Sequence, residues 1–131
     1  MKTLHQHYLI NAPLTIVWQA LTNPKIINQW GGGTAVMSEK EGEPFTLWGG
    51  EIWGKNIEVI KESKLVQEWH DDKTTQGMRV TLTLEKEKDM TRLTLLHEHI
   101  PDTKYEALDN GWREYYLQPL SDFVTEQTTE S

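Results

Sequence analysis

The sequence predicts an α+β domain in which a meander of antiparallel strands is covered by one long C-terminal helix. Three observations predict it. Met78, Val80, Leu82 and Leu84 alternate with Arg79, Thr81, Thr83 and Glu85, the period-two pattern of a half-buried strand. Tyr105, Leu108, Trp112, Tyr116, Leu120 and Phe123 recur at steps of three and four, the stripe of an amphipathic helix. Between the first strand and the meander lie two short segments with helix punctuation. Consecutive strands with short turns expose an apolar face that needs a cover, and the last helix has the length to supply it.

The elements follow in order. Residues 3–10 read as a strand, with Leu4 and Tyr8 on a different face from His5, His7 and Leu9; which face turns inward stays open. Asn11-Ala12-Pro13 reads as a helix start, with Pro13 at the first helical position. Leu14, Val17 and Leu21, with Ala20, form its apolar stripe, and Asn23-Pro24 ends it. A short helix over about Lys25–Gln29 follows and closes at Trp30-Gly31-Gly32-Gly33. Glu41-Gly42-Glu43-Pro44 and Trp48-Gly49-Gly50 are turn signals. Glu51–Ile60 and Leu65–His70 read as strands. Glu87-Lys88-Asp89 turns into another, on which Leu93, Leu95, His97 and His99 share a face by alternation. Ile100-Pro101 closes the meander. Thr103 with Glu106 fits a capping box for a helix that runs to about Gln127. Pro119 inside that helix removes a backbone donor and is expected to bend it near Tyr115.

Length and composition set outer limits. The 131 residues suit one domain over 1–127 with a polar tail at 128–131. Such a chain buries roughly two thirds of the surface its unfolded form exposes, enough for a core without staples. Cysteine is absent, which removes disulfides and thiolate chemistry and suits a reducing, cytoplasmic setting. Thirteen basic against twenty acidic residues give a net charge of −7, a sign that opposes nucleic acid and anionic membrane as partners. The opening residues hold no apolar run of signal-peptide length, and no stretch approaches the ~18 apolar residues of a membrane span. Six tryptophans stand out, a residue frequent where a core meets a cavity or an interface.

Several pieces, in this order, resemble one family. They are Ala12-Pro13 with Val17-Trp18 and Ala20-Leu21, Trp30, Gly49-Gly50-Glu51-Ile52-Trp53-Gly54 and Leu65-Val66-Gln67-Glu68-Trp69. Thr91-Arg92-Leu93-Thr94-Leu95, His97 and Ile100-Pro101 come next, and Gly111-Trp112 with Tyr115-Tyr116 complete the set. Each alone is weak; the ordered set, spanning nearly the whole chain, resembles the activators of the heat-shock protein 90 ATPase within the START-like (SRPBCC) superfamily. The resemblance implies the helix-grip (START-like, Bet v-like) fold: a curved antiparallel sheet wrapped around a long C-terminal helix, with two short helices after the first strand. It also implies a link to stress response and chaperones. The eukaryotic activator carries a separate N-terminal domain that makes much of the chaperone contact. The resemblance here begins almost at Met1, so full ATPase stimulation is not expected.

The helix-grip fold usually leaves a cavity under the long helix. Candidates for its lining are Trp30, Trp53, Trp69, Met78, Val80, Leu95, His97, Trp112 and Tyr116. The same residues also read as a filled core. His97 and His99, two apart on a strand, and His5 and His7 likewise, have spacing that suits zinc. A third ligand such as His70 or Glu68 would have to converge, and neither HExxH nor cysteine is present, so no metal site is expected. His97 reads either as a polar tip that orients a ligand or bonds a tyrosine, or as a satisfied buried histidine. Glu51, Glu58 and Glu68 are expected mainly on the solvent face, and Asp71-Asp72-Lys73 is read as a solvated loop. Arg92 and Arg113 have carboxylates within reach but form no clamp pattern. Gly31-Gly32-Gly33 lacks the spacing of a dinucleotide fingerprint and reads as a turn near a cavity mouth.

Three functions compete. The first is a non-enzymatic domain that binds a small hydrophobic or amphipathic ligand, with polar tips from His97, Tyr116 and the Trp112 indole and no cofactor. The second is a partner of heat-shock protein 90, recognisable by an exposed apolar patch with Trp48 or Trp53 outside the cavity. The third is an enzyme of cyclase or hydrolase type using His97 with a glutamate. A monomer or weak homodimer is expected.

Overall fold

The computed structural model describes residues 1–71 and 77–129. Six strands, β1 (Lys2–Ile10), β2 (Pro44–Leu47), β3 (Ile52–Ile60), β4 (Lys64–His70), β5 (Met78–Glu87) and β6 (Met90–Ile100), form one sheet in the order β1-β6-β5-β4-β3-β2. Every neighbouring pair is antiparallel. Helices α1 (Leu14–Thr22) and α2 (Pro24–Trp30) follow β1. The long C-terminal helix comprises α3 (Tyr105–Gly111), a π segment (Trp112–Leu117) and α4 (Gln118–Thr129). This is the helix-grip arrangement. Among the described residues no helix is long and apolar enough to cross a membrane.

The open choice of inward face on β1 falls to Leu4, Gln6 and Ile10, which are buried, while His5, His7 and Leu9 face out. The alternation on β5 holds as written: Met78, Val80, Leu82 and Leu84 are buried. With Leu93 and Leu95 they make the floor on which α1 and the C-terminal helix rest. Pro13 sits one position earlier than expected, as the N-cap of α1, and its carbonyl accepts from the Ile16 and Val17 amides. Asn23 ends α1 and caps α2, its Oδ1 accepting from the Lys25 amide at 3.0 Å. Pro24 fills the first position of α2, where a missing donor costs nothing.

Four details differ from the sequence reading. Strand β2 is new: four residues are too few for a periodic signal, yet Phe45 and Leu47 turn inward beside β3. The capping box does not form. The Pro101 carbonyl accepts from the Lys104 amide, closing a 3-10 turn over Asp102–Lys104, so Thr103 lies inside the turn instead of capping the helix. Pro119 acts through a widened turn: the chain before it is a π segment in which the Gln118 amide donates to the Arg113 carbonyl.

His99 is the fourth difference. It does not share a face with His97. Two residues of β1 span three of β6, since Lys2 pairs with Ile100 and Leu4 with His97. The extra residue takes φ +64° at His99, a bulge that turns its side chain to solvent and returns Ile100 to the core.

Two contacts place the site. Gly54 on β3 lies against β4 so closely that a Cβ there would come 1.7 Å from the Glu68 carbonyl oxygen; only glycine fits. Gln6 on β1 donates from Nε2 to both the carbonyl and Oδ1 of Asp109 (2.9 and 2.8 Å), and Tyr8 donates to Gln6 Oε1 at 2.6 Å. This network pins the C-terminal helix to the sheet edge three residues before Trp112.

Candidate functional site

An aromatic cluster lies where β4 meets the π segment. Trp69 stacks on Trp112 with centroids 4.7 Å apart, and Trp112 lies 4.6 Å from Tyr116. Trp30, from the end of α2, backs Tyr116 at 4.9 Å, and Trp48 meets Tyr116 edge-on at 6.1 Å. The Gly-Trp-x-x-Tyr-Tyr motif is therefore the widened turn itself, which delivers Trp112 and Tyr116 to one side. π segments of this kind recur at functional sites.

Each of these indoles has its N–H engaged within the protein. Trp112 donates to His97 Nδ1 at 2.9 Å, and Trp69 donates to Gln67 Oε1 at 2.9 Å. Trp30 and Trp48 donate to the Ala20 and Gly31 carbonyls, both at 2.9 Å. Gln67 is buried and hands the chain on: its Nε2 donates to Asn56 Oδ1, and Asn56 Nδ2 donates to the Ser38 and Lys40 carbonyls. Trp69 is thus oriented by a polar relay that reaches the loop before β2. Trp48 is also fixed through its backbone, its amide donating to the Gly32 carbonyl at 2.8 Å.

Beside this cluster opens a cleft of about 590 Å³. Trp69, Trp112 and Tyr116 line it on one side, Trp48 and Ile52 on another, and Leu108, Gly111 and Tyr115 on the helix side. Glu51 and Asp71 are its charged lining residues. Asp71 is bridged to Lys104 at 3.0 Å. Tyr115 is 65% exposed, so the cleft has an open aromatic lip.

Three of the nine candidate residues, Trp69, Trp112 and Tyr116, line this cleft. Trp30 supports it from behind. Met78, Val80 and Leu95 are fully buried core side chains. Beneath the helix the filled-core reading therefore holds for these positions, and the free space lies at the end of the sheet. Trp53 is misplaced by the sequence reading: it pairs with His70 across β3 and β4 and stacks on that imidazole at 5.7 Å, on the face opposite Ile52 and Trp69. Trp48, expected outside the cavity, is one of its walls. Glu51, Ile52, Asp71, Leu108 and Tyr115 were not among the candidates; the turn Trp48-Gly49-Gly50 points to Glu51 and Ile52, the helix stripe to Leu108 and the Tyr115-Tyr116 pair to Tyr115, whereas Asp71, expected in a solvated loop, is drawn in by its bridge to Lys104.

His97 is fully buried behind Trp69 and Trp112. Because Nδ1 accepts from Trp112, the neutral ring carries its proton on Nε2. Burial lowers its pKa to about 4. Burial raises the Tyr116 phenol well above its ordinary value, so it stays a hydroxyl. Among the described residues neither His97 Nε2 nor the Tyr116 hydroxyl has a hydrogen-bond partner. No glutamate bonds His97, so the acid–base pair that cyclase or hydrolase chemistry would need is not assembled there among the described residues. The Trp112 indole, spent on His97, is not free to orient a ligand.

Several other charged residues pair locally. Glu58 bridges Lys64 at 3.0 Å, Glu68 meets His70 at 2.8 Å, and Arg92 holds Glu87 through two 2.8 Å bonds. Arg113 reaches Asp109 at 3.3 Å. Among the described residues no three histidine or carboxylate groups gather for a metal. Asp72 and Lys73 of the acidic run, and Glu130 and Ser131 of the tail, lie outside the described residues.

Comparison with known proteins adds the following. The family model described as "Activator of Hsp90 ATPase homolog 1-like protein" matches residues 11–125. An "Activator of 90 kDa heat shock protein ATPase homolog" of Dictyostelium discoideum is 33% identical over 84 residues, 62% of this chain and 22% of that protein. The chain spans between 22% and 35% of the length of the curated relatives it matches. The crystal structure of an HSP90 activator from Plasmodium falciparum superposes with a TM-score of 0.85 at 24% identity, covering 95% of this chain and 96% of that one. The solution structure of an Aha1 dimer from Colwellia psychrerythraea superposes with a TM-score of 0.82 at 17% identity, covering 95% and 97%. At these identities the two structures speak to the fold.

Proposed function

The chain belongs to the family of Activator of Hsp90 ATPase homolog 1-like proteins, and from that premise we propose that it binds a small apolar or amphipathic molecule in the aromatic cleft between β4 and the C-terminal helix. The observation that carries this reading is the cleft itself, about 590 Å³ with Trp48, Trp69, Trp112, Tyr115 and Tyr116 along it. That volume suits a small ligand. A ligand burying on the order of 300 Å² of apolar surface gains roughly 7 kcal/mol at ~25 cal/mol per Å². Association costs at least ~4 kcal/mol, so burial alone leaves an affinity near the millimolar range.

A polar contact then decides the affinity. The Tyr116 hydroxyl is the suited group: it lacks a partner and is sealed in the unliganded protein, so a ligand oxygen or nitrogen that parts the neighbouring side chains to meet it relieves a desolvation cost of ~1–3 kcal/mol. The test is a panel of short alkyl and aryl alcohols, amines and carboxylates, read by tryptophan fluorescence and thermal shift. Binders are expected to raise the melting temperature in proportion to concentration over Kd. Tyr116→Phe is expected to keep the stability of the unliganded protein within about 1 kcal/mol, since it removes only an unpaired group, while weakening the best binder about five- to tenfold. Absence of any fluorescence or melting response across the panel would falsify the reading.

A second reading has its own support. The Dictyostelium relative and the Plasmodium structure are named as activators of the heat-shock protein 90 ATPase. In this reading the chain docks on that chaperone and changes its turnover. Adding the protein at saturation to heat-shock protein 90 from the same source is expected to change ATP hydrolysis severalfold. Unchanged turnover sinks this version and leaves the cleft untouched.

A further inference from the structure

We propose that the molecule held in the cleft carries a cationic head, a quaternary ammonium or a protonated amine on an apolar body; this rests on the ligand-binding reading above. The indole donors are the first reason. Trp48, Trp69 and Trp112 send their N–H groups to Gly31, Gln67 and His97, so the lining offers no indole donor, and its accessible ring surface comes from half-buried Trp48 and exposed Tyr115 over the buried Trp69 and Trp112. The charge of the lining is the second. Glu51 and Asp71 lie along the cleft, and among the described residues no lysine, arginine or histidine lines it. Lys104 offsets Asp71 through their ion pair, whereas Glu51 is exposed and has no partner among the described residues.

The three head-group charges then separate. An anionic head meets carboxylates and no cation among the described lining residues, with only the Tyr115 and Tyr116 hydroxyls as neutral side-chain donors. A neutral head gains little beyond those hydroxyls. A cation finds the accessible rings of Trp48 and Tyr115, whose faces attract ammonium groups, and beside them the free carboxylate of Glu51. The net charge of −7 adds a long-range attraction of the same sign, which salt screens.

Three probes with one body separate the possibilities: octyltrimethylammonium, 1-octanol and octanoate, each below its aggregation concentration, titrated at 150 mM salt with tryptophan fluorescence as the readout. The ammonium probe is expected to bind at least tenfold tighter than octanoate. Glu51→Gln is expected to weaken the ammonium probe about threefold and leave 1-octanol unchanged. Glu43→Gln, an equal charge change in the turn before β2, is expected to alter neither. Equal affinities for all three probes, or equal effects of Glu51→Gln and Glu43→Gln, overturn the cationic head while the ligand-binding reading stands. Silence from all three probes overturns that reading as well.

Discussion

Trp112→Ala is expected to cost roughly 3–5 kcal/mol of stability, the range for deleting a buried tryptophan or phenylalanine side chain. The indole is 3% exposed and touches three rings at once, Trp69, Tyr116 and His97. Its loss removes the transfer free energy of a large apolar group and leaves a hole that the sheet and the pinned helix are poorly able to close. It also leaves His97 Nδ1 without its donor. For a domain of this size such a loss lowers the melting temperature by on the order of 10–20 °C. Trp112→Phe keeps much of the stacking and forfeits the hydrogen bond, with an expected cost of ~1–2 kcal/mol. Trp53→Ala is the contrast, because Trp53 is half-buried on the other face, and its loss is expected to stay near ~1 kcal/mol. Urea unfolding of the three variants checks the order. A Trp112→Ala protein within 1 kcal/mol of wild type would show that the cluster is loosely packed and that the cleft has no firm floor.

Much of the fold was readable because period and punctuation agree over long stretches. Met78 to Glu85 alternates without a break, and the stripe from Tyr105 to Phe123 keeps helical spacing even across the π segment, whose extra residue merely shares burial between Tyr116 and Leu117. The family resemblance placed the helix over the sheet in the arrangement observed. What escaped depends on events one residue wide or on packing at a distance. A single bulge residue turned His99 outward, and no alternation rule announces it. Strand β2 is too short to be periodic. Trp53 was placed inside because tryptophan is large and apolar, yet Ile52 precedes it and takes the inward position, which sends Trp53 out. The location of the cleft followed from volumes: Trp30 and Tyr116 fill the space under the helix, and the opening shifts to the end of the sheet, where Trp48 arrives from a turn.

Lowering the pH from 7 to 4.5 is expected to destabilise the protein through His97 by about 2 kcal/mol, beyond whatever the carboxylates contribute. In the folded chain this imidazole is sealed and its pKa lies at about 4, against an ordinary value near 6.5 once the chain unfolds. Between those values the unfolded chain holds a proton that the folded chain refuses. Stability therefore rises with pH across that window, is complete above about pH 6.5, and declines as pH falls toward 4. Below the folded value both states are protonated and the loss levels off. The geometry gives the reason in atoms. A proton on Nδ1 would face the Trp112 N–H, donor against donor, and the charge would sit among Trp69, Trp112 and the core with no carboxylate bonded to it. His97→Asn is the matched variant, since its Oδ1 can accept from Trp112 while carrying no titratable group. Unfolding measured for both proteins at pH 7 and 4.5 is expected to give a pH dependence about 2 kcal/mol shallower in the variant. Parallel pH profiles would mean that the imidazole takes up its proton in the folded state near the usual pH. The Trp112 contact would then be broken under mildly acidic conditions, and the floor of the cleft would come apart with it.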